Sequence, residues 1–278
     1  MSGRVGLLQG VGQFPIDIWD AWYGPYSAGP AVPPTALGNN LTIGMPMQSY
    51  DPYWGWGEFI LCQFQTASTA VPTGTIVTWD QNYIITPVTG AANTAQPVGF
   101  VSSNFQSDAT LGAPTAPWNQ IQTVNQLYGW VQIAGLCPVK TTATAAVGPM
   151  YQTATAGSVS SAAVVSQQVV NARIVVATGG TWSRYGATTI PNASSISGRS
   201  EVFVNDKDGL FVGMQLAGTN LPANTTITDM QTGRNNSVLV SNAATATGPF
   251  AITPSYNNGT IYTALAMVNR PFAQGAIT

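Results

Sequence analysis

From residue 58 onward the chain is written in short runs of β-branched and aromatic residues broken by turn residues. That texture limits the fold more than any other feature. The runs are 59–64 (Phe-Ile-Leu-Cys-Gln-Phe), 75–79, 83–86, 98–101 and 128–134, with Thr73-Gly74, Gly90 and Gly135 between them. A Pro/Gln/Asn-rich link over 112–126 precedes a second group at 140–147, 150–155 and 164–178. Runs this short fit pleated strands and leave no room for long helices. Residues 160–172 hold enough Ala and Gln for a helix, but Val164, Val165, Val169, Val170, Val175 and Val176 favour strand, and strand is the reading adopted.

Residues 179–198 read as a loop-like linker. A second module follows, with runs at 201–204, 213–217, 225–230, 237–240 and 250–253 and turn chemistry at Asp208-Gly209 and 221–224. The segment 260–273 is apolar again; if it returns to the first domain, the second module is an insertion. The expectation is an all-β protein. A β-sandwich or β-barrel domain over 58–185, with 260–278 as its candidate completion, is preceded by an extended arm over 1–57, and 199–255 is a small β-module.

The arm carries its aromatics in two bursts, around Trp19, Trp22, Tyr23 and Tyr26 and then around Tyr50, Tyr53, Trp54, Trp56 and Phe59, with prolines at 15, 25, 30, 33, 34, 46 and 52. No helical or strand period persists there. Such an arm must lay its rings on its own domain, on a neighbouring copy or on a larger partner. Trp19, Trp22, Tyr23, Tyr26, Tyr53, Trp54 and Trp56 are therefore the expected protein-interface residues. A carbohydrate platform built on Trp19, Trp22, Trp54 and Trp56 is the competing reading.

Composition narrows the chemistry. Only eight Lys plus Arg and ten Asp plus Glu occur in 278 residues, so charged residues make up 6%, against about 25% in ordinary soluble proteins. Histidine is absent, which removes the commonest general base and metal ligand. A net charge of −2 offers no basic field for nucleic acid. No run of 18 apolar residues suggests a membrane-spanning helix, and the apolar patch at Val5, Leu7 and Leu8 is short for a secretory signal. Aromatics at 10% and a mean hydropathy of +0.13 favour folding over disorder. Cys62 and Cys137 lie far apart and read as buried free thiols rather than a disulfide.

No catalytic constellation emerges. Asn205-Asp206-Lys207-Asp208-Gly209 opens like a calcium loop, yet Ala217 stands where the bidentate Glu is needed, so a polar turn is expected. Gly10-Val11-Gly12 lacks the rest of a dinucleotide fingerprint. Asp17, Asp20, Asp51, Glu58 and Asp80 are the acids available for glycoside hydrolysis, with nothing in the sequence to pair them. N-x-[ST] triplets at Asn40, Asn192, Asn224, Asn235 and Asn258 are what composition alone produces. No catalytic residue, cofactor or metal site is expected, and the chain is not expected to be an enzyme.

Residues 201–253 carry Gly209-Leu210, Gly213-Met214, Gly218, Leu221-Pro222-Ala223, Thr226-Ile227 and Ser241-Asn242-Ala243-Ala244-Thr245-Ala246-Thr247-Gly248. This stretch resembles a small β-module of tailed-bacteriophage virion proteins. Residues 58–177, with Ala91-Ala92-Asn93-Thr94, Val98-Gly99-Phe100 and Gly129-Trp130-Val131-Gln132, look like capsid decoration (cement) proteins. The resemblance implies a structural virion protein on the outer capsid surface, assembled in the host cytoplasm. It would bridge major capsid protein subunits, as a homo-oligomer with a trimer favoured, with no nucleic acid or membrane partner. The alternative is a head-fibre or tail-fibre component that binds a host surface glycan.

Overall fold

The computed structural model describes residues 22–23, 43–44, 46–51, 54–65, 71–90, 95–102, 126–183, 186–205, 207, 209–230, 236–257 and 262–274. Eighteen strands and no helix occur among the described residues, so the fold is all-β.

The larger sheet closes on itself twice. In the first ring β3 (Gly55–Gln65) pairs with β5 (Ile84–Pro87), β5 with β4 (Ile76–Trp79), β4 with β7 (Gly99–Val101), β7 with β8 (Gln126–Thr141), and β8 with β3 again. In the second, β8 pairs with β10 (Val159–Ser160), β10 with β9 (Gly148–Gln152), β9 with β11 (Gln168–Val176), β11 with β18 (Tyr262–Ala273), and β18 with β8. Closure removes the unpaired edges that make sheets aggregate, which matters in a chain with so little charge to hold copies apart. Alternation along each strand gives each ring its own core. Ile60, Cys62, Val77, Ile85, Val101, Val131 and Ile133 cluster in the first, and Cys137, Val139, Met150, Val159, Val169, Ile174, Ala264 and Ala266 in the second.

One strand serves both rings because it bends. The first half of β8 lies between β3 and β7 and the second half lies against β18, with Gly135 at the change. Gly135 has φ +100°, and a Cβ there would stand 2.5 Å from the Trp56 carbonyl oxygen. Only glycine satisfies both conditions. The buried Gln132 secures the bend, its Nε2 donating to the carbonyls of Ala134 at 2.9 Å and Leu136 at 2.8 Å.

Short strands extend this frame. β2 (Pro46–Asp51) forms a hairpin with β3, from Pro46↔Ile60 to Asp51↔Gly55. β1 (Trp22–Tyr23) pairs with Tyr128 and Leu127 of β8, and β6 (Gln96–Pro97) with Phe272 and Ala273 of β18. Within 1–57, the described strands thus pair with the large sheet, and β3 runs across position 58.

Between β11 and β18 the chain makes a separate six-stranded antiparallel sheet. Its order is β14 (Gln215–Ala217), β17 (Gly248–Ser255), β12 (Ile190–Ser195), β13 (Glu201–Phe203), β16 (Ser237–Val240) and β15 (Ile227–Asp229). The Gln215↔Thr226 bridge and the Gly213 N–H to Ile227 carbonyl bond at 2.8 Å nearly close it into a barrel. β18 then returns to the large sheet, pairing with β8 from Tyr262↔Thr141 to Asn269↔Ala134, so the small barrel interrupts the large sheet in sequence. Residues 179–198, expected as a linker, contain β12. That strand is disguised because Asn192, at φ +59°, forms a bulge between Ile190 and Ala193 and breaks the alternation. The 160–172 stretch agrees with the strand reading only at its ends, Ser160 in β10 and 168–172 in β11; Val164 and Val165, read as favouring strand, lie exposed in the non-strand stretch 161–167 between them.

Small barrel and large sheet share one core. Phe211, Met214, Leu216, Val238 and Ile252 of the barrel cluster with Met47, Phe59, Leu61, Trp130 and Leu265 of the sheet. Trp182 enters the same core and donates its Nε1–H to the Gly209 carbonyl at 3.2 Å.

Candidate interaction surface

The seven aromatics expected at an interface have different fates. Trp54, only 7% exposed, packs edge-on against Phe211 with ring centroids 6.1 Å apart, and Phe211 in turn meets Tyr256 at 5.9 Å. It is an internal anchor between the β2–β3 hairpin and the small barrel, which corrects its assignment to a partner-facing surface: a ring already removed from water has little left to bury against a partner. Trp56, two residues on, is 56% exposed. Trp22 and Tyr23 have their backbones in β1, on the edge of β8 opposite β3. Trp19, Tyr26 and Tyr53 lie outside the described residues.

The contrast between Trp54 and Trp56 follows from where the strand begins. β3 starts at Gly55, and from there alternation places Trp56, Glu58, Ile60 and Cys62 on one face. Deeper in the ring that face lines the first core through Ile60 and Cys62. Toward the start of β3 it borders a shallow cleft of about 490 Å³ where β2, β3, β8 and β18 meet, lined by Gln48, Trp56, Gly57, Glu58, Ala134, Asn269 and Arg270.

The polar groups of the cleft are tied to one another. Arg270 donates from Nε and Nη2 to Glu58 Oε2 at 3.3 Å each, and Gln48 donates from Nε2 to Glu58 Oε1 at 3.3 Å. The Arg270 side chain is 73% exposed and that of Glu58 25%, so the pair is screened and adds little to stability. Arg270 also sits at φ +49°, a conformation that is costly outside glycine and asparagine. Bulges of this kind re-aim a side chain, and here the irregular β18 register delivers Arg270 over Glu58.

Other sequence candidates serve the fold. Asp80 Oδ1 accepts the backbone N–H groups of Asn82 at 2.8 Å and Ile84 at 2.9 Å, closing the turn between β4 and β5. Asp17 and Asp20 lie outside the described residues. Within the stretch 205–209, Lys207 is buried and donates from Nζ to the carbonyls of Met230 at 2.7 Å and Ser237 at 3.3 Å. Asn192 and Asn224 hold left-handed backbone at a bulge and a turn, a physical role for two of the five triplets. Cys62 and Cys137 are free, buried and in different cores, and burial pushes both thiols well above the ordinary thiol range. No group of three or more potential metal ligands occurs among the described residues.

Gln48, Asn269 and Arg270 were not visible as site residues in the sequence. Arg270 lies 212 positions from Glu58, and the one local hint is its place before Pro271 at the end of an apolar run. No family model, no curated protein and no solved structure matches this chain.

Proposed function

We propose that this chain is a structural virion protein of a tailed bacteriophage that decorates the capsid and stabilises it by bridging major capsid protein subunits, without catalysis. One observation carries the reading. The stretch that resembles a phage virion β-module, 201–253, lies almost wholly within the nearly closed six-stranded barrel, which is packed onto the large sheet through a common core. The near-neutral composition also fits a part that works by close packing, since few charges need desolvation when copies meet a shell. The action is mechanical. Each copy buries surface across a subunit boundary, and many copies together hold the shell closed.

Electron microscopy of particles made with and without the protein tests this directly. Density at capsid-subunit boundaries, with loss of shell stability when the protein is missing, is the expected result; density confined to the tail, or none, refutes the proposal. Attachment should also change little between low and moderate salt, since few ion pairs are available to screen. Removing residues 1–57 separates two ways of attaching. It is expected to lower occupancy, whereas full decoration by the shortened chain would assign attachment to the β-domains.

A further inference from the structure

We infer that the cleft where β2, β3, β8 and β18 meet is a binding site for a neutral glycan, with Trp56 as the stacking platform and Glu58, Arg270, Asn269 and Gln48 as hydroxyl partners. The inference stands apart from capsid decoration.

Three observations converge on this ligand class. The first is a large aromatic ring, 56% exposed, at the edge of a cleft of about 490 Å³, within the range of small-molecule sites. A flat apolar platform suits the C–H face of a pyranose ring. The second is the polar set around it. A carboxylate accepts from hydroxyls, a guanidinium donates to them, and the amides of Gln48 and Asn269 do both. Because Arg270 neutralises Glu58 at 3.3 Å, the cleft carries no net charge, which disfavours phosphates and acidic sugars and leaves uncharged polyols as the match. The third is the Arg270 backbone at φ +49°. An exposed ion pair adds little to stability, so unfavourable backbone kept for its sake points to the position of the guanidinium as the thing retained.

Gly57 and Gly135 let the chain pack closely beneath the cleft. A Cβ at Gly57 would stand 2.8 Å from the Phe59 ring, and one at Gly135 2.5 Å from the Trp56 carbonyl oxygen, so the hairpin lies flat against the bend of β8 beneath the cleft.

The test uses the purified full chain on an array of neutral, sialylated and sulfated glycans, followed by calorimetric titration with the neutral oligosaccharide that binds best. Neutral glycans are expected to bind, and Trp56→Ala should weaken binding about tenfold or more. Arg270→Gly is the decisive variant. Glycine relieves the positive φ, so its melting temperature should be equal to or above that of the parent while its affinity falls; a merely structural Arg270 would leave affinity unchanged. Absence of binding to every neutral glycan, selective binding of acidic ones, or unchanged affinity in Trp56→Ala or Arg270→Gly would each overturn the assignment. Capsid attachment is read in a separate experiment, so either conclusion can fail alone.

Discussion

The two faces of the β2–β3 hairpin share a sequence neighbourhood and almost nothing else. One face presents Met47, Phe59 and Leu61 to the small barrel and is closed over by Phe211 and its neighbours, with Trp54 as the wedge just before the strand. The other lines the first ring with Ile60 and Cys62, then emerges as Glu58 and Trp56 in an open cleft. Aromatic residues two positions apart thus act in opposite ways, one holding modules together and one meeting solvent. Local composition reports that an aromatic must be covered by something, and only the arrangement of the other strands says by what.

Substitutions along the hairpin break or sharpen that contrast. Trp54→Ala should have the largest effect, a loss of about 3–5 kcal/mol in denaturant unfolding, because it empties the contact between hairpin and barrel. A loss below about 1 kcal/mol would mean that the shared core does not depend on this ring. Cys62 and Cys137 sharpen the contrast from inside the rings. Both thiols stay protonated in the folded chain, whereas in the unfolded chain they ionise above about pH 9. The unfolded state then binds fewer protons, so each thiol should lower stability by about 1.4 kcal/mol per pH unit above that point and contribute no slope below it. A Cys62→Ala, Cys137→Ala double variant, less stable at neutral pH, should show the flatter alkaline limb; equal slopes would contradict the burial of both thiols.

Gly135→Ala should cost about 2–3 kcal/mol, from positive φ and from collision with the Trp56 carbonyl, and should disturb the cleft as well as the core. Gln132→Leu removes two hydrogen bonds from the bend of β8 and is expected to cost about 1–2 kcal/mol in thermal unfolding. Trp56→Ala belongs at the bottom of the scale, with stability changed by less than about 0.5 kcal/mol. A large destabilisation there would place Trp56 with Trp54 as a structural residue and remove the contrast.

Much of the strand pattern was legible. Residues 59–64, 98–101 and 237–240 alternate or run apolar in β-branched and aromatic residues, and strands stand there. β12 was not legible, because Ile-Pro-Asn-Ala-Ser-Ser offers two buried apolar side chains out of step and a bulge at Asn192. β2 was absorbed into the arm for a similar reason, since it opens with proline and buries Met47 alone among its described side chains. At the site, Trp56 was named with six other aromatics that the sequence could not rank. Its polar neighbours were out of reach, because Asn269 and Arg270 arrive on a strand that first passes the whole small barrel.

By itself the sequence determined the all-β class, the punctuation by glycine, proline and asparagine, and the scarcity of charge. These are local properties: side-chain branching and backbone strain act within a few residues. The tertiary structure alone decided that one strand closes two rings, that the small barrel covers one tryptophan and not the other, and that Arg270 meets Glu58. Those outcomes depend on which distant strands pair, and pairing is settled by the joint burial of residues far apart in the chain.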